Sequence, residues 1–104
     1  MLDCAPLVTA VERLADRFRA LPQSRLRGVA EAGLDLAREL SCAAQRLELP
    51  DREPLLMPDD GVYALGDQIA VAGHDLLAAL AGHPRRHDVL DEALRSVAKV
   101  EELL

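Results

Sequence analysis

Between Gly61 and Ala81 the chain reads GVYALGDQIAVAGHDLLAALA, with apolar residues recurring at Val62, Leu65, Ile69, Ala72, Leu76 and Leu80. Steps of three and four place these positions on one side of a helix. The remaining faces are unusual. Turned about 100° per residue, Tyr63, Ala64, Val71 and Ala78 fall roughly opposite Ile69, so the side expected to meet water is largely apolar as well. Only Asp67, Gln68, His74 and Asp75 interrupt it. A helix that is apolar nearly all round is covered on more than one side, by its own chain or by a second subunit. Any fold for this chain has to provide that cover.

A length of 104 residues bounds the answer to one domain, spanning 1–104, which buries roughly 60–70% of its unfolded surface and needs neither metal nor disulfide to fold. Half the residues are hydrophobic, yet only 2% are aromatic and Trp is absent, so the core has to be built from Leu, Ala and Val. Such a composition favours helices packed on helices, because strand-forming residues are scarce. The formal net charge is -6. An acidic surface repels phosphate backbones, and few aromatic rings are available for base stacking, so nucleic acid is not an expected partner. No stretch reaches the roughly 18 uninterrupted apolar residues of a membrane span, and the best candidate carries Asp67, His74 and Asp75. Met1-Leu-Asp-Cys-Ala-Pro lacks a basic region followed by an apolar core, so a cytoplasmic location is expected.

In chain order, Asp3 and Pro6 signal the start of a first helix, with Leu7, Val11, Leu14, Phe18 and Leu21 as its buried seam. Pro22 breaks it. A second helix is predicted from Pro22 or Ser24 to Leu47, and the short turn places it side by side with the first and antiparallel to it. Its apolar stripe includes Leu26, Val29, Ala30, Gly33, Leu36, Ala37, Leu40, Ala44 and Leu47. Pro50, Pro54 and Pro58 then exclude helix from one long connection, yet Leu55, Leu56 and Met57 are too apolar for a free linker and are read as a strap over the bundle. Asp59 or Asp60 is expected to cap the third helix. Gly66, Ala70 and Gly73 form a small-residue strip on it, whose mate is either the Ala30, Gly33, Ala37 strip of the second helix or a second copy of itself. Gly82 ends the third helix and Pro84 opens the fourth, which buries Leu90, Ala93, Leu94, Val97, Val100 and Leu104 and pairs Asp91 with Arg95.

The chemistry-bearing residues form no catalytic or metal-binding set by spacing alone. Cys4 and Cys42 are expected within about one helical turn of each other along the bundle axis, as reduced thiols. His83 and His87 are four apart, but His83 precedes its helix, so the spacing does not secure the shared face that a metal motif needs. Tyr63, Asp67 and His74 share a side of the third helix, where Asp67 and His74 stand about 10 Å apart, too far for direct proton transfer. Glu31, Asp35 and Glu39 make an acidic stripe on the second helix, which Arg27 and Arg38 are expected to neutralise as surface ion pairs. A short helical bundle with acidic residues is similar in general shape to the nucleotide pyrophosphatases of the MazG class, which hold magnesium with inward acidic clusters. Their paired short-spaced acidic motifs on two helices have no counterpart here.

These readings add up to an all-α, antiparallel four-helix bundle with one long Pro-rich connection between helices two and three. The expected role is non-enzymatic, that of a cytoplasmic protein-interaction or regulatory module forming a homodimer and engaging a protein partner, without cofactor or metal. The expected interface residues are Tyr63, Asp67, Ala70, Val71, His74 and Ala78. Two rival readings are a metal-dependent nucleotide hydrolase and a carrier for a small apolar ligand under the strap.

Overall fold

Leu7, Val11, Leu14 and Phe18 all lie at 0–1% exposure, so the first seam is buried up to Leu21, which is half-buried just past the helix, and the same spacing logic gives four helices. The computed structural model describes residues 1–104, with α1 over Ala5–Ala20, α2 over Gln23–Glu48, α3 over Leu65–Ala81 and α4 over His87–Glu102. No strand is present. At about 1.5 Å per residue the 26 residues of α2 match the 40 Å long axis of the molecule. The architecture is therefore an all-helical bundle, with 22 apolar residues from all four helices in one core. No helix is long and apolar enough to cross a membrane.

Helix α3 is the element the others pack on, most extensively α2 and then α1, while α4 lies against α1 and α2. The expectation that α1 and α2 lie side by side is corrected. They do not approach closely along their lengths, because Leu21 and Pro22 are both extended and send α2 away from the end of α1. What brings α1 to α3 is the strip of small residues. A β-carbon at Gly66 would come within 2.9 Å of the Ala15 carbonyl oxygen, and one at Gly73 would run into the Val11 side chain. The mate of the Gly66, Ala70, Gly73 strip is thus α1, not the small residues of α2. Gly33 of α2 has another use: the Phe18 ring lies over it, 2.7 Å from where a β-carbon would stand. Phe18 is the only phenylalanine of the chain, and Gly33 gives it room.

Helix ends differ from the sequence reading for local reasons. The Asp3 carboxylate accepts from the Ala5 N–H at 3.1 Å, and Pro6 sits in the first turn of α1, as expected. Before α3, the Asp59 carboxylate accepts from the Gly61 N–H at 2.9 Å, Gly61 adopts φ 92, and Val62–Ala64 form a 3₁₀ turn. That left-handed φ suits glycine, which has no β-carbon to clash. The regular helix begins only at Leu65. Pro84 does not open α4; it sits second in a turn closed by Arg86 N–H to the His83 carbonyl at 3.1 Å, a position that its fixed φ suits. His83 Nδ1 stands 2.9 Å from the Ala79 carbonyl oxygen, and since a carbonyl only accepts, the ring donates there and caps the end of α3. On α4 the ion pair of Arg95 is with Glu92 at 2.7 Å rather than with Asp91. Arg13 grips Glu101 with two hydrogen bonds, of 3.0 and 3.2 Å, and ties α4 to α1.

Candidate interaction surface

The outward side of α3 carries Asp67, Val71, His74 and Ala78 at steps of four, three and four, and all four are exposed. Tyr63 precedes them in the 3₁₀ turn with 72% of its surface exposed, and Val71 has 55%. Ala70 is half-buried and packs against the core. Of the residues that pattern alone places outside, Tyr63, Val71 and Ala78 are exposed and Ala64 is half-buried. Leu65, Gln68, Ile69, Ala72, Leu76, Ala79 and Leu80 turn inward instead.

Charge on this stripe is settled within the chain. Arg19 of α1 puts Nη2 2.7 Å and Nε 3.0 Å from the same carboxylate oxygen of Asp67, while its Nη1 donates to Asp16 at 3.0 Å. The hydrogen bond that Arg19 donates to Asp67, then that to Asp16, holds its guanidinium more firmly protonated than an isolated arginine. Asp67 is therefore a brace between α1 and α3 and not one arm of an acid–base set with Tyr63 and His74.

The connection from Leu49 to Gly61 runs beside this face and is fastened by three long side chains. Gln45 of α2 bonds both backbone groups of Leu55, accepting from its N–H at 2.8 Å and donating to its carbonyl at 2.9 Å. Arg38 donates to the Met57 carbonyl at 2.8 Å, and Gln68 of α3 donates to the Pro58 carbonyl at 2.8 Å. The strap thus crosses from α2 to α3. Met57 packs on the core, but Leu55 and Leu56 turn outward with 80% and 64% of their surface exposed. They add apolar area next to the outer face of α3, and no periodicity in the sequence signals the three anchors.

The other candidate groups are not gathered. Glu31, Asp35 and Glu39 are exposed and none has a basic partner within 4.0 Å; Arg38, expected to neutralise them, is spent on the strap. A groove of about 350 Å³ between α2 and α4 includes Glu39, Asp88 and Glu92, but Asp88 is paired with Arg86 and Glu92 with Arg95. Those partners, through their hydrogen bonds first, hold both carboxyls below their ordinary range. No group of three or more His, Cys, Asp or Glu side chains stands close enough together to hold a metal ion. Cys4 and Cys42 are half-buried free thiols. Compared with protein-family models, with curated proteins and with solved structures, the chain matches none.

Proposed function

We propose that this protein is a non-enzymatic interaction or regulatory module of the cytoplasm that self-associates through the outer face of α3. One observation carries the reading: Tyr63 and Val71 are largely exposed on a stripe where Asp67 is already paired with Arg19, while Asp75 is exposed at its strap-side edge. A twofold axis across that stripe would set apolar and small residues against their copies, with Asp75 kept at the solvated rim so that no unpaired carboxylate is buried. Each square ångström of apolar surface so covered contributes roughly 25 cal/mol. The stripe from Asp67 to Ala78 is about 16 Å long, enough for one helix crossing. The small side chain of Ala78, with half-buried Ala70 at the margin, lets two helices come near.

The test is a particle mass by light scattering at micromolar concentration. Wild-type protein should give twice the 11.3 kDa chain mass, and Val71→Glu should move it toward one chain with helix content unchanged by circular dichroism. A wild-type particle of single-chain mass, or an unchanged dimer in Val71→Glu, would defeat the reading.

A further inference from the structure

We propose that the hollows bordering the strap bind a cationic, leucine-bearing segment of another protein. The hollow between the strap and the α2–α3 pair has two charged lining residues, Glu48 and Asp75. The hollow where the strap meets the start of α3 has Asp60 and Asp67, and the one between α2 and the 3₁₀ turn has Glu31 and Asp59. All six are carboxylates, and only Asp67 has a basic partner in the chain. Nearby, Arg38 Nε, Gln45 Nε2 and Gln68 Nε2 each donate to a strap carbonyl. Gln68 Oε1, in the wall of the second hollow, is buried and accepts no hydrogen bond within the chain. No lysine, arginine or histidine lines any of the three hollows, so charge favours a cationic occupant.

Apolar contact comes from Leu55 and Leu56 on the strap and from Ala44 and Ala78 on the walls. A basic segment with interspersed leucines meets both demands. A second copy of this chain does not: a twofold axis through the hollows would bring carboxylates toward carboxylates, and like charges brought together at an interface disfavour it. Anionic nucleic acid is disfavoured for the same reason. The hollows share Asp67, Val71 and Ala78 with the outer stripe of α3, so a bound segment would compete with a second copy there, but its binding does not depend on self-association.

The experiment titrates full-length protein against a fluorescein-labelled peptide of leucines and lysines at physiological ionic strength, following anisotropy. Two twins are run beside it, one with glutamate for lysine and one with serine for leucine. The leucine–lysine peptide should bind and both twins should bind at least about tenfold more weakly, since both steering charge and apolar contact are needed. Glu48→Lys/Asp75→Lys should weaken binding about tenfold, while the charge-matched Glu12→Lys/Glu102→Lys, on exposed positions away from the strap, should stay within about twofold. Leu55→Ser/Leu56→Ser should weaken it without altering net charge. Light scattering on the same samples reads self-association separately. Equal binding of the serine twin, or equal losses in the two charge variants, would reduce the effect to general attraction and overturn the proposal. So would no binding of any peptide. A particle mass that falls in Glu48→Lys/Asp75→Lys with no peptide bound would give the hollows to a second copy instead.

Discussion

The side chain of Val11 fills the space where a β-carbon on Gly73 would stand, with its Cγ2 2.9 Å and its Cβ 3.2 Å from that position. Val11 is fully buried and β-branched, so it has no free rotamer into which to retreat. Gly73→Ala should therefore force α1 off α3, at about 1–3 kcal/mol, against the roughly 1 kcal/mol that alanine gains over glycine in a helix. The net effect is a loss. Gly28, also inside a helix, has nothing within 4 Å of its β-carbon position, so Gly28→Ala should raise stability by about 0.5–1 kcal/mol. Urea midpoints of the two variants should move in opposite directions. Equal shifts would mean that α1 does not lie on Gly73 as described.

Much of this fold can be read from spacing, because Leu7 to Phe18 and Leu26 to Leu47 repeat at helical steps over several turns and each repeat is buried. Partner choice between helices cannot be read the same way. Ala30, Gly33 and Ala37 are as small as the residues that receive α1, and what distinguishes them is that the Phe18 ring takes the room at Gly33. Helix ends were obscured by side chains acting on nearby backbone, Asp59 on Gly61 and His83 on Ala79. On the candidate surface, the exposed side of α3 is legible as an angle about the helix axis. The outward turn of Leu55 and Leu56 is not, since it follows from Gln45 and Arg38 reaching strap residues 10 and 19 positions away, contacts that leave no periodic trace.

Asp88 and Glu92 give the molecule an acid-side signature. Hydrogen bonding to Arg86 and to Arg95 respectively holds each carboxyl below its ordinary range. A carboxyl whose pKa is lower folded than unfolded adds stability above the unfolded value, and the contribution is lost as pH falls through the folded value. The loss therefore lies in the acidic carboxylate range and leaves neutral pH untouched. Carboxyl titrations followed by carbon-detected nuclear magnetic resonance should show Asp88 and Glu92 ionising below the unfolded reference. Arg86→Gln should raise the Asp88 midpoint alone, Arg95→Gln the Glu92 midpoint alone, and about 1 M salt should shrink both shifts because the pairs are exposed. Midpoints indifferent to these substitutions would show that the pairs do not persist in solution.

The hold of Gln45 on Leu55 sets how firmly the strap stays down. One amide both accepts from the Leu55 N–H and donates to its carbonyl, and each such bond contributes about 0.5–1.5 kcal/mol net. Gln45→Ala removes both while burying nothing and leaving the α2 backbone intact. Because Leu55 and Leu56 are themselves exposed, the loss should open the strap locally without unfolding the bundle. Hydrogen exchange at the Leu55 amide should accelerate markedly, with the urea midpoint scarcely moved; Leu76→Ala in the core should cost about 2–5 kcal/mol. Gln45→Glu separates the two bonds, since a carboxylate still accepts from the N–H but cannot donate to the carbonyl. Its Leu55 amide should exchange at an intermediate rate. An amide that exchanges equally in wild type and Gln45→Ala would mean that the strap is fastened by Arg38 and Gln68 alone.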